Sequence, residues 1–101
     1  MDITERQKKF LRRAAHNLKP VISIGDKGVT PALLKELDGA LEHHELIKIR
    51  VRAGDRDARN ASIDELVATT GALLISRVGN IAALYRPQRK NPKIVLPKAG
   101  D

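Results

Sequence analysis

The chain has 101 residues, the size of one domain with a modest core, and its 42% hydrophobic and 31% charged residues exclude a disordered chain. Lys and Arg number 19 against 12 Asp and Glu, for a net charge of +7, which favours an anionic partner and nucleic acid first. Phe10 and Tyr85 are the aromatic residues, too few for a base-stacking platform, so contact is expected through backbone phosphates.

The first element reads as a helix. Thr4 and Gln7 have capping-box spacing, and Phe10, Leu11, Ala14, Ala15 and Leu18 recur at three- and four-residue intervals as an apolar stripe. Arg6, Lys9, Arg12, Arg13 and His16 fall on the opposite side, giving a basic outer face, while Asp2 and Glu5 sit at the end where the helix dipole favours acids. After Pro20, Val21 to Ile24 reads as a short strand. Gly25-Asp26-Lys27-Gly28 follows, and Thr30-Pro31 marks an N-cap with proline at the first helical position.

The second helix is expected to bury Leu33, Leu34, Leu37, Ala40, Leu41 and His44, and to show Glu36, Asp38, Glu42 and Glu45 on an acidic outer face. Leu46 to Arg52 alternates, with Ile47, Ile49 and Val51 facing a core and Lys48, Arg50 and Arg52 forming a basic face or edge. Gly54-Asp55 turns into a third helix with Ile63, Leu66 and Val67 inward, ended by Gly71. Ala72 to Val78 and Ile81 to Arg86 read as two strands joined by a Gly79-Asn80 hairpin turn.

The resulting order, α-β-α-β-α-β-β, predicts a single α/β domain over residues 1–86, with a mixed four-stranded sheet covered by helices. Residues 87–101, with Arg89, Lys90, Lys93, Lys98 and Pro92 and Pro97, are expected to be an extended, basic, partly mobile tail in which Ile94-Val95-Leu96 could dock.

The chemistry concentrates in a few places. Gly25 to Gly28 leaves a strand and approaches a helix, so free amides, the positive helix end and the Lys27 ammonium could together hold a phosphate. The alternative is a tight turn whose glycines solve a geometric problem. The loop lacks both the Walker pattern and the full dinucleotide pattern. Adjacent His43 and His44 diverge by ~100° on a helix, which opposes a shared metal ion. Asp55, Asp57, Asp64 and Glu65 suggest no hydrolytic pair, and no Ser/His/Asp set can be assembled, so no enzyme, cofactor, metal or small-molecule substrate is expected. Without cysteine there is no disulfide scaffold, thiolate zinc site or cysteine nucleophile. No apolar run nears the ~18 residues of a membrane span and no secretory stretch opens the chain, so a reducing cytoplasm and no membrane contact are expected.

Several stretches also match a known family: Leu18-Lys19-Pro20-Val21, Ile24 to Thr30 around the glycine loop, Ala40 to Lys48, Thr70-Gly71-Ala72, Val78-Gly79 and Leu84-Tyr85-Arg86-Pro87. The chain resembles the CRM domain (chloroplast RNA splicing and ribosome maturation), in particular the small stand-alone bacterial members of the YhbY type. That resemblance implies a fold similar to the C-terminal domain of translation initiation factor three, and RNA binding. Bacterial members are associated with precursors of the large ribosomal subunit, so the implied partner is large-subunit ribosomal RNA in pre-ribosomal particles. The family's GxxG loop maps onto Gly25 to Gly28.

The combined expectation is a non-enzymatic RNA-binding factor for ribosome assembly. Gly25, Asp26, Lys27 and Gly28 would hold a phosphate, and Arg6, Lys9, Arg12, Arg13, Lys48, Arg50 and Arg52 would extend the contact. A general DNA- or RNA-binding protein without a ribosomal role is the alternative, and a nucleotide-using enzyme a weaker third. Whether the basic groups merge into one surface depends on strand order, which the sequence leaves open, as it does the oligomeric state.

Overall fold

The computed structural model describes residues 2–52 and 54–98. Its elements are α1 (Glu5–Ala15), β1 (Pro20–Ile24), α2 (Pro31–His44), β2 (Leu46–Val51), α3 (Arg56–Thr70), β3 (Leu73–Val78) and β4 (Ile81–Tyr85), in the expected order. Local chemistry sets the helix starts. The Thr4 hydroxyl accepts from the Gln7 amide while the Gln7 side chain accepts from the Thr4 amide, a complete capping box. Thr30 caps α2 ahead of Pro31, and Asp55 caps α3 through the Ala58 amide. Gly71 ends α3 in the left-handed region.

The sheet order is β1-β2-β4-β3. β1 and β2 are parallel, and β4 runs antiparallel to both of its neighbours, so β2 and β3 point the same way with the hairpin strand inserted between them. β2 is consequently a central strand and not an edge. The hairpin turn has a positive φ at Gly79 alone of its two residues, the pattern of a type II′ turn.

Helices cover both faces of the sheet. On one face α2 and α3 enclose the larger core, in which Leu37, Leu41, Ile63 and Leu66 meet Ile22, Ile24, Ile47, Ile49, Val51, Ala82 and Leu84. On the other, α1 places Leu11 and Ala15 over Leu46, Ile75, Ala83 and Tyr85. Tyr85 is fully buried, and its burial, with the Glu45 charge nearby, pushes the phenol pKa up.

Two expectations about burial are corrected, and one open point is decided. α1 buries only Leu11 and Ala15 of the predicted stripe; Phe10, Ala14 and Leu18 are exposed, because α1 ends at Ala15 and one helix on an open sheet face contacts it along a narrow line. His44 is exposed, whereas its neighbour Glu45, assigned to the acidic outer face, is 0% exposed. Glu45 leaves the helix at φ 65°, outside helical geometry, and this swings its side chain inward. The open point is the tail, in which Ile94-Val95-Leu96 could dock. Ile94 and Leu96 pack against the smaller core, and the Gln7 side chain donates to the Pro97 carbonyl at 3.0 Å, so residues 87–98 lie docked on the domain. Residues 99–101 of that tail are outside the described residues.

Candidate nucleic-acid interface

The glycine loop follows β1 at one end of the sheet. A Gly28 amide to Gly25 carbonyl bond of 3.0 Å closes it into a tight turn. Of the two glycines, Gly28 takes a positive φ, 65°, which its lack of a side chain permits. Gly25, Asp26 and Lys27 are exposed, and the Asp26 and Lys27 amides have no protein partner among the described residues. The start of α2 contributes less than its position suggests. Pro31 has no N–H and Thr30 already accepts from the Leu33 amide, so the Ala32 amide, the loop's own amides and the Lys27 ammonium are the available donors.

Strand pairing brings the second strand's cations to this loop. The Arg52 amide donates to the Ile24 carbonyl at 2.9 Å, directly before Gly25. Because Ile47, Ile49 and Val51 belong to the larger core, Lys48 and Arg50 emerge on the α1 face of that central strand, and exposed Arg52 follows directly after it. α1 covers only part of that face. The Lys48 ammonium donates to the His16 carbonyl at 3.2 Å, where a cation complements the helix C-terminus. Beyond it, Arg12, Ala15, His16, Lys48, Ser76, Val78, Ile81 and Ala83 line a trough between helix and sheet. Val21 and Val78, 53% and 77% exposed, stand on the same open face.

The predicted residues therefore divide. Lys27, Arg52, Arg50 and Lys48 run in that order from the loop to the end of α1, where Arg13 and His16 continue the path. Arg12 is engaged structurally, its Nε donating to the Ile75 carbonyl at 3.3 Å and its guanidinium 3.8 Å from Glu5. Arg6 and Lys9 lie further along α1 with Phe10, Arg13 and Pro97, away from the loop. The sequence leaves the merging of these groups open; the pairing of β1 with β2 and the seating of α1 over β2 decide it.

The acidic side of the molecule is less free than its composition implies. Arg86 donates to Asp38 at 2.6 Å and to Glu42 at 3.4 Å, and also to the carbonyls of Thr70 and Asp38. Glu45 accepts from the backbone amides of Gln88, Lys93 and Ile94 at 2.7, 2.8 and 2.8 Å. Burial pushes the Glu45 carboxyl up, but those three amides and the Lys93 ammonium outweigh it and hold the group below the ordinary carboxylate range. Both roles escape sequence reasoning, since each links residues more than forty positions apart. Among the described residues no group of His, Asp and Glu could hold a metal ion, and no helix is long and apolar enough to cross a membrane.

A mixed sheet covered on both faces, with a glycine turn and a cationic strand at one end, defines an α/β domain whose charge is gathered along one edge. The family model of the CRS1 / YhbY (CRM) domain matches residues 3–86, and the chain belongs to that family. It is 41% identical over 96 residues to an "RNA-binding protein" of Haemophilus influenzae, covering 95% of this chain and 96% of the relative. It is 36% identical over 95 residues to the "Probable RNA-binding protein YqeI" of Bacillus subtilis, covering 94% and 99%. The solution structure of SAV1595 from Staphylococcus aureus superposes with a TM-score of 0.80 at 33% identity, over 95% of this chain and 100% of that one.

Proposed function

We propose that this protein binds structured RNA through backbone phosphates and, as a cytoplasmic assembly factor rather than an enzyme, assists maturation of the large ribosomal subunit. The observation that carries the RNA reading is the continuous path from Lys27 through Arg52 and Arg50 to Lys48 and the end of α1. Relatives over nearly the whole chain named for RNA binding support it. A surface with exposed guanidinium and ammonium groups and no exposed aromatic platform reads backbone shape more than base identity. The ribosomal part rests on the family resemblance.

Two measurements test this reading. Affinity for structured RNA should fall with salt, and Lys27→Ala should make the log K against log salt slope shallower by about one unit. An unchanged slope and affinity would remove the loop as a contact. Gradient sedimentation of cell extract at low salt should place the protein with large-subunit precursors; migration only with free protein would sink the ribosomal role. Duplex DNA competing as well as structured RNA would favour the general nucleic-acid alternative.

A further inference from the structure

A second cationic site, outside the path just described, lies on the opposite face of the same strand ends. Arg56 and Arg59 from the first turn of α3 and Arg77 from β3, with Gly79 of the hairpin turn, line an open cavity of ≈ 430 Å³. Arg77 pairs with Ala82, a residue of the larger core, so its side chain leaves the sheet on the α3 face. The cavity and the glycine loop share one edge of the molecule. Ile24 bonds Arg52 across β1 and β2, and the Val51 amide donates at 2.7 Å to the Asn80 carbonyl of the β3–β4 turn. With strands about 4.8 Å apart, β1 and β3 stand roughly 14 Å from each other, within reach of a single RNA segment.

What distinguishes these arginines is how they are held. Arg77 donates from Nη1 to the Asn60 side-chain oxygen, and Arg59 donates from Nη1 to the Gly54 carbonyl at 3.2 Å. Both acceptors are neutral. The Nε atoms of Arg59 and Arg77 are buried and have no hydrogen-bond partner, and among the described residues none of the three arginines is ion-paired. Arg86 shows the contrast, since it meets two carboxylates and two carbonyls. Guanidinium groups converging on one cavity repel one another, and a buried unpaired N–H is costly. An anion in the cavity relieves the repulsion, and the planar fork of the accessible guanidinium nitrogens matches a phosphate in bidentate fashion.

We propose that Arg56, Arg59 and Arg77 form a second phosphate-binding site, which takes a phosphodiester of the same RNA held by the glycine loop. This deepens the RNA-binding reading and rests on it. The RNA then crosses the strand-end edge from Lys27 past Arg52 into the cavity, gripping both faces of the sheet, instead of following α1 alone.

The test compares wild-type protein with Lys27→Ala, Arg56→Gln and Arg77→Lys in equilibrium binding to structured RNA across a salt series. Arg56 is exposed and among the described residues its side chain makes no hydrogen bond or ion pair, so Arg56→Gln leaves the fold intact, which an unchanged melting curve verifies. Removal of one phosphate contact predicts a slope shallower by about 0.7–0.9 and an affinity about five- to eightfold weaker at 0.1 M salt. Arg77→Lys keeps the charge and loses the fork, so it should weaken binding with little change of slope. If wild type binds RNA, Lys27→Ala weakens it and neither arginine variant differs from wild type, the second site is refuted while the RNA reading stands. Wild-type protein that binds no structured RNA overturns both.

Discussion

The two ends of the sheet treat charge in opposite ways. Where β1 and β2 finish, Lys27, Arg50, Arg52 and Arg56 present cations that form no ion pair among the described residues, and Arg59 and Arg77 are steadied there by neutral oxygens. Where β2 begins and β4 finishes, each central charge is satisfied within the chain: Arg86 by Asp38 and Glu42, Glu45 by three tail amides. Residue types alone would not separate these ends, since both carry arginines and acids. Internal pairing does. A charge that is hydrogen-bonded at home adds to stability, and one held in place but left unpaired is available to a partner.

The strongest challenge to that contrast is Glu45→Ala. It removes the acceptor of three backbone amides and frees the tail carrying Ile94 and Leu96, with an expected loss of about 2–4 kcal/mol. Urea unfolding, with limited proteolysis after residue 87, checks it; an uncleaved tail and unchanged midpoint would mean that the carboxylate is incidental. The same group sets an acid limit. Its folded pKa is depressed, so its contribution is present above the ordinary value of about 4.3 and is lost as pH falls through the lower folded value. Tail cleavage should therefore rise only below pH ~4, and a rise between pH 5 and 7 would contradict the clamp.

Next in size is Arg86→Ala, expected to cost about 2 kcal/mol, because Asp38, Glu42 and the Thr70 carbonyl lose a mostly buried partner. RNA affinity should stay within twofold, which filter binding measures. Gly28→Ala is smaller, about 1 kcal/mol, from forcing a side chain into φ 65° with open space around it. The smallest stability effect is expected at the open end. Arg52→Gln should change the melting midpoint by no more than ~0.5 kcal/mol in equivalent stability while weakening RNA several-fold. A large loss of stability there would erase the distinction between the two ends.

Much of the architecture is legible in short-range signals. The Thr4–Gln7 capping box, the Thr30-Pro31 start, the Gly79-Asn80 turn and the alternation from Ile47 to Arg52 all appear where expected. Each depends on residues within a few positions of one another, which is why the element order follows from them. The same logic misplaces Glu45 and His44. A helical projection assumes that the helix continues, and the φ of 65° at Glu45 breaks the projection at that residue. Docking of Ile94-Val95-Leu96 is only an option in the sequence, because the acceptor that draws in the amides of Gln88, Lys93 and Ile94 lies more than forty residues earlier.

The sequence by itself determined the inventory: an excess of cations, a glycine turn with a lysine at its tip, a basic strand face and four strands in an α/β order. Tertiary structure decided which of those cations meet. Inserting β4 between β2 and β3 sets the Gly79-Asn80 turn beside Val51, and pairing β1 with β2 sets the glycine loop beside Arg52. It also brings Arg77 to the side of Arg56 and Arg59, residues that no spacing in the sequence connects. The physical reason is that turns and caps are local, whereas strand order is chosen by burial of apolar faces across the whole chain, and the cations at the strand ends are carried along with it.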